Sequence, residues 1–253
     1  MIKQKETTKC VIVKLGSSVT MTRRRKLDRF RIIQLVKQIT VLKEKGFTIV
    51  FVISGAVVCG NDILRTDEVE DRCAQQLAAG VGQAYLTSEL YKIFMDHGFV
   101  LAQMLLTKGD LEDRNRQEAL KNIMRLAVRT NIVPVLNEND LLELHSFGGN
   151  DFLAGKIAQL LHADSLLLLT DVDGVYSENQ QIVRTIDAGK SKPILLDKRE
   201  CPNGRVGGME GKIEAAKTTA GSGIPTVIAN GKIKNIVARL TLNQEKLGTR
   251  VIR

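Results

Sequence analysis

Tryptophan is absent from this 253-residue chain, and aromatic residues make up only 4% of it. Aliphatic α/β packing is therefore favoured over an aromatic-rich β-sandwich. The four cysteines, Cys10, Cys59, Cys73 and Cys201, are far apart and form no CxxC pair. That excludes metal-site spacing and predicts a reduced chain. No apolar run approaches the roughly 20 residues that a membrane helix needs. The opening MIKQKETTKC has no apolar segment of signal-peptide type. The expectation is a cytoplasmic protein with no membrane partner. Also missing are an internal repeat, a low-complexity tract and a long Pro/Gly/Ser linker, so the chain reads as one domain able to bury a substantial core. Charge of one sign is in excess, at a formal +9. The excess lies in short runs such as Arg23-Arg24-Arg25-Lys26, without the interleaved aromatics that single-strand binders use. Such a run reads as a solvated face, with no nucleic-acid partner, and the basic balance suits an anionic substrate equally well.

What is present is alternation. Apolar, strand-length runs at 10–15, 48–53, 100–105, 132–136, 165–170 and 226–229 are separated by helical patterns at 27–45, 71–97, 114–130, 151–161 and 212–220. In the first helix Phe30, Ile33, Leu35, Val36, Ile39 and Leu42 recur with the helical period and predict its buried face. Continuous apolar strands between helices predict a mostly parallel sheet covered on both faces. Ligands of such sheets bind at the carboxyl ends of the strands. The segments that follow the strands are therefore the functional inventory, and they converge on one edge. The least regular stretch, 176–211, is long enough for a hairpin or a flap beside that edge.

Lys14 ends a strand whose neighbours Val11, Ile12 and Val13 look buried, and an ammonium there is costly unless an anion faces it. Gly16 after it lets backbone amides approach a phosphate, although the Walker pattern GxxxxGK followed by Ser or Thr does not occur. Ser54-Gly55 opens a helix that could hold an anion, or is a plain N-cap. Between 137 and 151 lie Asn137, Glu138, Asn139, Asp140, Asn150 and Asp151. Amides donating to a carboxylate and carboxylates accepting from an ammonium suit an α-amino acid. Asp151 alone reads equally as a helix N-cap. Thr170-Asp171 ends the most apolar strand, where an aspartate could orient a lysine or bind magnesium through water, or only cap a turn. Gly207-Gly208-Met209-Glu210-Gly211-Lys212 places a lysine at a helix start, where the macrodipole demands a negative partner. His97, His145 and His162 read as surface or loop positions.

The stretches VIVKLGSSV, VISGAVVCG, QMLLTKGDLEDR, NIVPVLNEND, GGND, ADSLLLLTDVDGVY, GGMEGKIEAAKTTAGSGIPTVIANG and LGTRV resemble the amino acid kinase family, in the family's order and over nearly the whole chain. NEND and QMLLT…DLEDR are most similar to its glutamate-phosphorylating members. The resemblance implies a three-layer αβα sandwich around a central, mostly parallel sheet, as a single domain over 1–253. Its part up to about 160 would be the substrate side and its part from about 161 the nucleotide side. It also implies ATP and Mg²⁺ as cofactors and L-glutamate as the substrate, phosphorylated on its 5-carboxylate. Acetylglutamate, carbamate, UMP and isopentenyl phosphate stay open as acceptors, as does a non-catalytic sensor. Lys14, Lys212 and Asp171 would be catalytic, with Asp171 orienting the two lysines. Ser54, Asp140 and Asn150 would bind glutamate. Lys14, Gly16, Thr170, Asp171, Val206, Gly207, Gly208, Met209, Glu210, Gly211 and Lys212 would bind ATP. No residue is assigned as a direct metal ligand. Proline as feedback inhibitor and a homo-oligomer follow from the same resemblance, and the sequence reads as the kinase unit without the PUA domain of many bacterial members. Two departures stand out: Gly149 replaces an acidic residue, and Arg205-Val206 replaces a glycine and a threonine.

Overall fold

Every expected strand-length run is a strand in the computed structural model, which describes residues 9–66, 71–128, 130–190 and 208–253. β1 (Lys9–Leu15), β2 (Phe47–Ile53), β3 (Val100–Leu106), β4 (Ile132–Glu138), β5 (Ser165–Thr170), β6 (Thr185–Asp187), β7 (Thr226–Asn230) and β8 (Thr249–Ile252) form one sheet in the order β3-β4-β2-β1-β5-β7-β8-β6. All pairs are parallel except β7 with β8. β6 and β8 escaped the sequence reading because strands of three and four residues have no periodicity to detect.

The helices are α1 (Ser17–Thr20), α2 (Arg29–Glu44), α3 (Ala56–Leu64), α4 (Arg72–Asp96), α5 (Lys108–Glu112), α6 (Arg114–Val128), α7 (Asn150–Leu161), α8 (Met209–Gly221) and α9 (Ile236–Thr241). Asp28 and Asp71 cap α2 and α4, accepting from the backbone N–H of Arg31 and Ala74. The sheet divides two apolar cores. Val11, Val13, Phe51 and Leu167 join α2, α4 and α9 on one face, whereas Ile12, Val52, Leu136 and Leu168 join α6, α7 and α8 on the other. Alternate residues of each strand thus serve opposite cores, which is why the strands read as unbroken apolar runs. One core expectation fails: Phe30 is 67% exposed, whereas Leu35, Val36, Ile39 and Leu42 are buried as expected, Ile33 is partly buried and Ile32 joins the face. Phe30 is the second residue of α2 and lies ahead of the buried stripe.

α3 and α4 cross with almost no space between them. A Cβ on Gly82 would lie 1.8 Å from the carbonyl oxygen of Ala56, and one on Gly60 would lie 1.8 Å from that of Ala78. Burial pushes the Cys10 thiol up to about 12, helped by Asp164, and the Cys59 thiol up to about 11, helped by Asp62. Neither is a reactive thiolate, and Cys201 lies outside the described residues. No helix among the described residues is long and apolar enough to cross a membrane.

Candidate active site

The carboxyl edge of the sheet gathers the expected residues. Lys14 is the penultimate residue of β1 and pairs in register with Leu168, so it points to the face covered by α7 and α8. It is 4% exposed. Its Nζ lies 2.7 Å from Oδ1 of Asp151, a close ion pair off the axis of a directed hydrogen bond. Lys212, in the first turn of α8, donates to Oδ2 of the same carboxylate at 3.0 Å. Burial would raise the Asp151 carboxyl, but the Lys14 and Lys212 ammonium groups hold it below the usual carboxylate range. Burial pulls Lys14 downward against the opposing pull of Asp151. The negative partner demanded by a lysine at a helix start is therefore built into the protein.

This corrects the role expected of Asp171. Asp171 is exposed just beyond β5, and its Oδ1 accepts from the Thr170 hydroxyl at 3.4 Å. The carboxylate that lies between the two lysines is that of Asp151. Asp151 is also not an N-cap: Gly149 caps α7, and Asp151 is the helix's second residue. The overlooked signal was its place one helical position past Asn150, on the face that receives Lys14.

A second polar cluster adjoins the first. Ser54 follows β2, and the N-cap of α3 is Gly55, whose φ of 129° and close approach to Met21 admit no side chain. The Asn150 amide donates to the Ser54 hydroxyl at 3.0 Å and to Asn137 Oδ1 at 2.7 Å. Asn137 donates in turn to Gln83 Oε1 at 2.7 Å. Because Ser54 Oγ accepts from Asn150, its own O–H is left to donate elsewhere. The buried Glu138 carboxylate accepts from the backbone N–H of Phe147 and Gly149, pinning the loop before α7. Asp140 accepts from the backbone N–H of His145 at 3.0 Å, with the His145 ring 3.8 Å away. Burial raises both the Glu138 and Asp140 carboxyls. Gln83, Gln103, Leu105, Glu138 and Asp140 line a cavity of about 270 Å³. Gln83 was not singled out from sequence; the only signal was a glutamine between small residues of a helix.

Of the expected nucleotide segment, Val206 and Gly207 lie outside the described residues. Gly208 caps α8, Met209 is buried, and Glu210 and Gly211 complete the turn that carries Lys212. Gly16 opens α1, and a Cβ on it would lie 3.8 Å from Lys14 Nζ. Thr170 is buried, and its carbonyl accepts from Gly231. Glu138, Asp140 and His145 have ligand atoms within 4.8 Å of one another and form the metal-capable group among the described residues. Glu138 Oε1 and Asp140 Oδ1 are, however, already used by backbone N–H groups.

The amino acid kinase family profile matches residues 9–230. The chain belongs to the amino acid kinase family. Among curated relatives it is 37% identical over 247 residues to the glutamate 5-kinase of Ectopseudomonas mendocina, covering 94% of this chain and 66% of that protein. It is 34% identical over 238 residues to that of Bacteroides thetaiotaomicron, covering 91% and 66%. The chain thus spans slightly less than two thirds of these relatives' length. An X-ray structure of isopentenyl phosphate kinase matches with a TM-score of 0.65 at 18% identity, covering 96% of this chain and 99% of that one. It shares the fold, the αβα sandwich expected from the sequence.

Proposed function

We propose that the protein transfers the γ-phosphoryl group of ATP to the 5-carboxylate of L-glutamate, giving L-glutamyl 5-phosphate, the opening step of proline synthesis. The observation that carries this reading is the Lys14–Asp151–Lys212 cluster beside a cavity lined by Asp140 and Glu138. Two anions must meet in line, so the barrier is mainly electrostatic and positional. Asp151 pairs with both ammonium groups and aims them, and they stabilise the charge on the group in flight. The attacking carboxylate is already ionised at neutral pH, so no general base is required. Asp140 accepts the substrate ammonium, and the Ser54 O–H, held by Asn150, donates to its α-carboxylate. Residues up to about 160 supply this side, with Asp151 reaching across to the nucleotide side. Gly16, Thr170 and the turn that begins α8 frame the nucleotide there.

Magnesium fits as an ion carried by the nucleotide phosphates, where it would neutralise their charge. Asp151, the carboxylate beside the lysines, is already held by two ammonium groups. The same reading includes L-proline as an inhibitor, a cytoplasmic location and a homo-oligomer. The test is ADP release with glutamate, acetylglutamate, carbamate, UMP and isopentenyl phosphate, each with and without proline. Glutamate is expected to give the highest kcat/KM, and silence with glutamate would overturn the proposal.

A further inference from the structure

The hydrogen-bond chain on the substrate side does not end at Gln83. The Gln83 side-chain amide donates to the Thr87 hydroxyl at 3.1 Å, and that hydroxyl donates to Gln103 Oε1 at 2.8 Å. Gln83 and Thr87 lie one turn apart on α4. Leu105 pairs in register with Asn137, and Gln103 with Val135, so Gln103 and Asn137 share the sheet face on which α4 packs. One turn of α4 thus connects the Asn137 side chain on β4 to the Gln103 side chain on β3.

The chain has one direction, and the backbone sets it. The Glu138 N–H, which can only donate, points at Asn137 Oδ1 at 3.0 Å. The Asn137 amide nitrogen is therefore turned toward Gln83 Oε1, and the Gln83 nitrogen toward Thr87. Thr87, accepting from Gln83, gives its single proton to Gln103 Oε1. Reversing Asn137 or Gln83 would set donor against donor, and reversing Gln103 would take the acceptor from the Thr87 proton. The consequence falls on Gln103. Its oxygen is committed to Thr87, so its amide N–H groups are what it offers to the cavity of about 270 Å³ that it lines with Asp140. Gln103 is an exposed residue, and those N–H groups are open to a ligand. An α-amino acid carries its ammonium and its carboxylate on one carbon. A cavity with an acceptor carboxylate, Asp140, and a fixed donor amide, Gln103, offers the complement of each. We propose that the Gln103 amide donates to the substrate α-carboxylate together with Ser54, and that Thr87 is the residue that positions it. A glutamine free to turn would present its oxygen to that carboxylate part of the time and repel it. The proposal rests on the glutamate reading and adds to it the residues that select for an α-carboxylate.

Steady-state kinetics of the wild type, Thr87→Val, Thr87→Ser and Gln103→Met test this, with 4-aminobutanoate, which lacks the α-carboxylate, as a competitor. Thr87→Val is nearly isosteric and removes the hydroxyl. It should raise KM for glutamate by about fivefold to tenfold, with kcat within about twofold and KM for ATP unchanged. Thr87→Ser keeps the hydroxyl and should restore KM, which a role in packing alone would not predict. Gln103→Met should raise KM by about tenfold or more, and it carries the test if Thr87→Val unfolds. Ki for 4-aminobutanoate should be the same in the wild type and every variant. Absence of glutamate turnover by the wild-type protein would overturn the glutamate reading and this proposal with it. With turnover intact, three results would each overturn the proposal alone. These are an unchanged KM in Thr87→Val or Gln103→Met, a KM for Thr87→Ser as high as that of Thr87→Val, or a Ki for 4-aminobutanoate that rises in step with KM.

Discussion

Asp151 is the residue that joins Lys14 and Lys212 into one cluster. It is 2% exposed and holds two ammonium groups that would otherwise repel each other in a dry environment. Asp151→Asn should therefore act in two ways. Removing the carboxylate that two buried ammonium groups share should cost about 3–5 kcal/mol of stability, read as a lower unfolding midpoint in urea. The loss of aim and charge should reduce kcat by about 10²–10³-fold. Asp171→Asn, in contrast, should change kcat by no more than about threefold, because its carboxylate is exposed and accepts from the Thr170 hydroxyl; the ratio of the two kcat values separates these roles. Asp140 gives a pH prediction. Its folded carboxyl lies above the usual range because of burial, with the His145 backbone N–H and ring opposing. The folded state thus holds this proton more tightly than the unfolded chain, so its contribution to stability is full below the unfolded value and is lost as pH rises through the folded one. For binding the sign is opposite, since the neutral acid cannot pair with an ammonium. KM for glutamate should climb as pH is lowered into the carboxylate range, beginning above the pH where an ordinary carboxyl titrates. A KM flat across that interval would remove Asp140 from ammonium recognition.

At the scale of elements, the α3–α4 crossing fixes the substrate side, because Ser54 leads into α3 and Gln83 lies on α4. Gly82→Ala must push a Cβ against the Ala56 carbonyl. A loss of about 1–3 kcal/mol is expected, seen as a fall in Tm of about 2–4 °C per kcal/mol. Gly221→Ala is the control. It ends α8 with nothing within 4 Å of its Cβ position, so Tm should hold or rise slightly. The main strands and most helices were legible in the sequence because the central strands feed two cores and so read as unbroken apolar runs between helical patterns. The third-turn pattern of α2 was legible too, whereas Phe30 misled because periodicity cannot tell where along a helix the sheet begins.

Across the whole molecule, the parallel order of the strands made the site readable before any coordinates. It forces the segments after β1, β2, β4 and β5 onto one edge, so Lys14, Ser54, Asp140 and Thr170 could be grouped from sequence. What sequence could not supply was pairing between groups on different elements. Asp151 and Asp171 look alike as acids next to strand or helix ends, and only the face that each occupies tells which one meets Lys14 and Lys212. The Ser54–Asn150–Asn137–Gln83 chain spans residues 54 to 150 and exists only after packing.

The most direct measurement of the central claim is capture of the acyl phosphate with hydroxylamine in reactions containing ATP, Mg²⁺ and L-glutamate. The account predicts glutamyl hydroxamate in step with ADP release for the wild-type protein, a yield lower by about 10²-fold or more for Asp151→Asn, and a near wild-type yield for Asp171→Asn. Absence of hydroxamate from the wild-type protein, or a collapse with Asp171→Asn while Asp151→Asn stays active, would contradict it.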